Sequence, residues 1–241
     1  MRCVAARRTD RRGRARLIHQ DPRTGEDLPE DPDARAHLFS GTDHIGPAPE
    51  MKKIMPLANP PHELDPALVL RALFVQLEQW VCDRREPGPS QVPRRANGTA
   101  ATREQVLEQI RAIFPDAALP DPEHLPWTPV IDPNSTELPL ALGDPLIALV
   151  STVDEHGNEL AGIRLPDLAA GTAAYTGWNP RIHMDGLPDV LCEMLGSRLT
   201  SGSPTTPDTA AIQAAARALA DHRFLLPEDL DRAVDQSSSS T

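Results

Sequence analysis

A chain of 241 residues is long enough for one sizeable domain. Its 26 prolines, about twice the usual ~5 %, and an aromatic content of only 3 % assign much of that length to turns and irregular segments. The net charge of −11 is unevenly spread: seven of the 24 lysines and arginines and one of the 35 acids fall in the first 16 residues, leaving 17 basic against 34 acidic residues beyond them. So acidic a body argues against nucleic acid as the main partner, because phosphate binding needs a basic face.

No apolar run approaches the ~18 residues of a membrane span or has the form of a signal peptide, so neither membrane nor secretion is expected. Cys3, Cys82 and Cys192 are odd in number and far apart, which fits reduced thiols in a cytosolic protein better than a disulfide framework. With no CxxC or paired Cys/His spacing, no metal site and no cofactor is expected.

The chain opens on Arg2, Arg7, Arg8, Arg11, Arg12, Arg14 and Arg16, read as a disordered leader rather than a nucleic-acid arm or transit peptide. Leu17-Ile18-His19 precedes a loop rich in Asp, Pro and Gly from Asp21 to Asp33. Alternation over Arg35–Ser40 predicts a short strand that ends in Gly41-Thr42-Asp43-His44, followed by a Pro-rich loop from Pro47 to Pro61. Asp65-Pro66 is an N-cap acid followed by proline at the first helical position. Val69, Leu73, Leu77 and Trp80 then carry one apolar stripe of a helix ending near Cys82–Arg85.

Residues 86–100 form a polar linker, the best domain boundary in the chain. Thr102 and Gln105 make a capping box that opens a second helix, with Val106, Ile110 and Ile113 on one face. From Pro115 to Pro145 no regular structure is predicted. Leu146–Val153 and Leu160–Leu165 read as a β-hairpin turning through Asp154-Glu155-His156-Gly157-Asn158-Glu159. A Ser/Thr/Pro segment, Thr200–Pro207, leads to an Ala-rich helix over Asp208–Arg223, a short helix opened by Pro227 and a Ser-rich tail expected to be disordered from Ser237.

A histidine in a loop is most often an ordinary surface residue. His44 is singled out because a strand, a Gly-Thr-Asp-His turn and an amphipathic helix are how alpha/beta-hydrolases deliver a general base to a serine hydroxyl. The nucleophile should stand in a Gly-x-Ser-x-Gly turn, and none occurs. Gly88-Pro89-Ser90-Gln91-Val92 lacks the second glycine. In that fold the serine precedes the acid and the histidine, so position 44 leaves no room upstream, and the nucleophile is expected on a portion outside this chain.

Arg164, Tyr175, Trp178 and Asn179 form a polar–aromatic cluster that could line a pocket mouth, with Arg164 meeting an anionic group. The plainer reading has the rings packing two segments together while Arg164 pairs with an acid such as Asp167. His183-Met184-Asp185 reads as a solvated loop rather than metal ligands, and Asp154 and Glu159 as turn acids rather than an acid–base pair.

From Gly13 to Ala233 the chain resembles the large bacterial alpha/beta hydrolase domain-containing proteins that carry a long C-terminal extension. The most specific segments are Val153 to Pro166 and Tyr175-Thr176-Gly177-Trp178-Asn179; Leu17-Ile18-His19 and Gly41-Thr42-Asp43-His44 are similar too. The resemblance implies that His44 is the general base. It also implies an acid near Thr9-Asp10-Arg11, where this chain departs from the family, as it does again at Arg198-Leu199-Thr200.

Taken together, the expectation is an α/β chain comprising the C-terminal remnant of an alpha/beta-hydrolase core over 17–85 and a mixed α+β extension containing a β-hairpin over 101–236. The parent activity would be serine-type hydrolysis of a small ester or amide, with the isolated chain inactive, marginally stable and paired with the missing N-terminal hydrolase half. The competing reading is a non-catalytic module that docks a partner chain.

Overall fold

The computed structural model describes residues 2–6, 19–125, 127–131, 142–187, 190–192, 194–201 and 206–239. Strand β1 (Arg2–Ala6) pairs in parallel with β2 (Ala34–Leu38). β1 lies inside the segment expected as a disordered leader: the edge of β2 offers backbone donors and acceptors that another strand satisfies. Leu17 and Ile18 fall outside the described residues.

Helix α1 (Pro49–Lys53) occupies the Pro-rich loop, and α2 (Ala67–Asp83) starts one residue later than expected, with Pro66 rather than Asp65 at the N-cap position, although the Asp65 carboxylate still accepts from the Ala67 amide at 2.9 Å. Val69, Leu73 and Trp80 are buried on the predicted stripe. A short β3 (Ala100–Thr102) leads into α3 (Arg103–Ile113), whose Thr102–Gln105 capping box is formed in both directions. The proline-rich stretch after it is more ordered than expected, since β4 (Pro129–Ile131) pairs antiparallel with β5 (Leu142–Pro145).

The predicted hairpin forms at its turn but not along its arms. The Asp154 amide donates to the Asn158 carbonyl at 2.9 Å, and Val153 bridges Glu159. Beyond the turn the arms diverge: β6 (Leu149–Ser151) pairs with β3, and Ile163 bridges Phe39 in parallel. Gly162 redirects the second arm at φ +99°, a conformation that favours glycine, and a Cβ there would stand 2.7 Å from the Leu38 carbonyl oxygen.

β7 (Ala174–Thr176) pairs antiparallel with β8 (Ser197–Leu199). Helix α4 (Thr209–Asp221) is capped by Asp208, and α5 (Leu230–Ser239) ends the described chain. The tail is therefore helical through Ser239, against the expectation of disorder from Ser237; the Ser237 hydroxyl is buried and donates to Asp167 at 2.8 Å.

One core joins the two halves. Phe39, Leu64, Leu68, Val69 and Leu73 pack with Ile163, Leu165, Tyr175, Ala216, Leu219, Phe224 and Leu225. The segment expected as a linker is bonded to that core's strand, because the Leu38 amide donates to the Gln91 carbonyl at 2.8 Å and the Gln91 amide to the Ala36 carbonyl at 2.9 Å. Val92 beyond it is buried. A smaller cluster gathers Val106, Ile110, Phe114, Ala174 and Leu199. Among the described residues no helix is long and apolar enough to cross a membrane.

Candidate functional site

β2 delivers the chain into a turn that is tied down at each step. The Ser40 amide donates to the Ile163 carbonyl at 3.0 Å, and the Ser40 hydroxyl to the Ala161 carbonyl at 2.7 Å. Gly41 adopts φ +69°, and a Cβ there would lie 2.8 Å from the Tyr175 carbonyl oxygen, so both backbone conformation and space favour glycine. Its amide donates to a buried Glu159 carboxylate oxygen at 2.7 Å. The residue read as a turn acid thus reaches across to the histidine segment. The Thr42 hydroxyl returns to the Phe39 carbonyl at 3.0 Å, and Asp43 accepts from the Gly46 amide at 2.6 Å.

His44 is the exposed residue at the end of this braced turn, its amide donating to the Met194 carbonyl at 3.1 Å. Ser40 and Ser197 are both fully buried, and each hydroxyl donates its proton to a backbone carbonyl, that of Ala161 and of Trp178 respectively, at 2.7 Å. A hydroxyl has one proton to give, so neither is arranged as a serine activated by His44.

Beneath His44 lies a buried polar cluster that the sequence does not reveal. Lys52, from α1, faces the Asp43 carboxylate at 3.0 Å and Glu63 at 3.6 Å, and donates to the His62 carbonyl. Glu63 also accepts from the Ala48 amide at 2.7 Å. The His62 ring accepts from the Leu64 amide at Nδ1 and donates from Nε2 to the Thr176 carbonyl at 3.1 Å, which defines its neutral tautomer. Burial pushes the His62 pKa down to about 4; the Asp43 carboxylate opposes this and the Lys52 ammonium reinforces it. His62 also meets Tyr175 edge to face, with centroids 5.8 Å apart.

The four residues expected around a pocket mouth separate. Arg164 pairs with Asp154 at 2.6 Å, a local acid but not Asp167. Trp178 packs half-buried against the smaller apolar cluster. Asn179 is fully buried, its carbonyl accepting from the Asn59 amide at 3.1 Å and its NH2 donating to the Asn59 and Gly196 carbonyls at 2.9 and 3.0 Å. It clamps two loops and has no donor left for a substrate. Tyr175 lines a cleft of about 680 Å³ beside the start of α2.

Among the described residues no three His, Cys, Asp or Glu side chains cluster as metal ligands, and His183 and Asp185 lie 3.5 Å apart in full exposure. No signal in the sequence singles out Lys52, His62 or Asn59: Asn59 and the Nε2 of His62 meet partners distant along the chain, and Lys52 meets its partners nine to eleven residues away across irregular segments without periodicity.

No curated protein and no solved structure matches the chain. The model of one family, described as alpha/beta hydrolase domain, matches residues 19–235, which take in β2, the His44 turn, most of the cleft lining and the first six residues of α5. The chain belongs to the alpha/beta hydrolase domain family.

Proposed function

We propose that this chain is the imidazole-bearing part of a serine-type hydrolase of small esters or amides, with His44 as general base and the nucleophile supplied by a portion outside it. The supporting observation is the placing of His44: an exposed ring at the end of a strand, on a turn whose neighbouring backbone and side chains are all held by internal bonds. Such a turn fixes the backbone from which the imidazole projects, which reduces the ordering needed for proton transfer. The reading also rests on the absence of Gly-x-Ser-x-Gly and on the committed protons of Ser40 and Ser197.

Assay of p-nitrophenyl butyrate should give the buffer rate for this chain. Turnover should appear once a segment bearing the nucleophile turn is joined ahead of it, and fall by roughly 10³-fold or more in His44→Ala. Turnover by the chain alone that disappears in His44→Ala would overturn the missing nucleophile. Turnover of the joined protein that survives His44→Ala would overturn the general base.

A second reading, a non-catalytic module that docks a partner chain, draws on the outer face of α2. Phe74 and Val81 there are 70 % and 54 % exposed, apolar surface of the kind a neighbouring segment covers.

A further inference from the structure

The cleft beside the start of α2 has an unusual wall. Its body is apolar, formed by Leu64, Leu68, Val69, Leu165, Leu219 and Leu225. On one side stands Arg198, on β8, in register with Tyr175 on β7, and both residues line the space. The Arg198 main chain is fixed through its amide on the Pro60 carbonyl at 2.7 Å.

Its guanidinium is half-buried, with Nε sealed from solvent and lacking any hydrogen-bond partner. Arg71, Arg164 and Arg223 are satisfied by Glu228 and Asp229, by Asp154, and by the Gln79 side chain and the Glu86 carbonyl respectively; the Nε of Arg35 and of Arg181 is likewise sealed without a hydrogen bond, but neither residue lines this cleft. A buried Nε–H with no acceptor is costly, and an anion in the cleft that accepts from it would remove that cost.

The acids around the cleft do not meet this need. Glu63 is engaged by Lys52 and the Ala48 amide, Asp65 by the Ala67 amide, and Asp167 by the Ser237 hydroxyl. Asp235 is exposed on α5, where salt screens its field.

We propose that this cleft binds a small amphipathic carboxylate, its anionic head on the Arg198 fork and its apolar body against the leucines. The volume, about 680 Å³, falls within the range of ordinary ligand pockets, roughly 300–1,000 Å³. The planar fork of arginine matches a carboxylate in two parallel hydrogen bonds, and Nε–H is one of the donors that such a pair uses. The site stands independently of the role of His44, because binding requires no nucleophile.

The test is calorimetric titration of the chain with octanoate, n-octanol and octylamine in parallel, together with nitrogen-15 NMR of the arginine Nε–H groups. Octanoate should bind, should weaken about tenfold or more in Arg198→Gln, and should be unchanged in Arg164→Gln, whose guanidinium pairs with Asp154. In the unaltered protein octanoate should move the Arg198 Nε–H resonance, a readout that does not depend on any variant folding. Octanol binding as well as octanoate, octylamine binding better, no binding of octanoate, or an unmoved Arg198 resonance would each overturn the proposal.

Discussion

The Asp43 carboxylate and the Lys52 ammonium lie 3.0 Å apart with side chains 0 % and 1 % exposed, directly under the turn that carries His44. Removing one member of such a pair leaves a buried charge without its counterion, which costs about 3–5 kcal/mol. Lys52→Met should therefore lower stability by that amount in urea denaturation, and the double substitution Asp43→Asn/Lys52→Met should recover much of it. Additive losses in the double variant would show that the two charges are not coupled.

Gly196 passes under the His62 ring. A Cβ at this position would stand 2.2 Å from His62 Nε2 and 2.3 Å from the Thr176 carbonyl oxygen, so it would break the bond that joins them. Gly196→Ala should cost about 3 kcal/mol or abolish folding. At Gly171, with φ +70° and open space around it, the same change should cost only about 1 kcal/mol, the penalty of the left-handed backbone. Thermal melts of the two variants side by side check the contrast.

Two buried histidines link stability to acidity. Burial lowers the pKa of His37 and of His62 to about 4, against an ordinary value of 6.5. Each binds its proton more readily in the unfolded chain, so the folded state holds its full advantage above pH 6.5 and loses it progressively as pH falls toward 4. The loss is on the order of 3 kcal/mol per histidine over that window. Urea midpoints between pH 7 and 4.5 should show the decline, and His37→Gln should flatten it; a profile unchanged by that substitution would exclude the linkage for His37.

Asn179 and Arg164 should respond very differently to truncation. Asn179→Ala strands the amide and carbonyl of Asn59 and the carbonyl of Gly196 in the interior, at a cost of about 3 kcal/mol. Arg164→Gln removes an ion pair whose arginine side chain is 35 % exposed, at a cost below about 1 kcal/mol. Chemical denaturation of both variants separates a structural clamp from a peripheral contact.

What the sequence discloses here is what short-range chemistry decides. The stripe of α2, the Thr102–Gln105 box, the strand before Gly41 and the turn at Asp154 depend on residues at most a few positions apart, and all four form. The arms of the hairpin were not legible, because β3 and Phe39 compete for them from far along the chain.

The buried polar cluster was hidden for a related reason: Lys52 sits in a Pro-rich stretch without periodicity, and its partners come from two other segments, the turn at Asp43 and the His62-Glu63 pair. Low aromatic content does offer one clue after the fact. With only 3 % Phe, Trp and Tyr, histidine rings fill space that larger rings would occupy elsewhere, His37 edge-on to Phe224 and His62 edge-on to Tyr175.

The common core also decides what a protease would accomplish. The exposed Arg84 and Arg85 at the end of α2 invite trypsin, yet Leu68 and Val69 on one side of such a cut are packed with Ile163, Leu219 and Phe224 on the other. Limited digestion there should give two bands on a denaturing gel and a single peak on size exclusion, the nicked halves persisting as one particle.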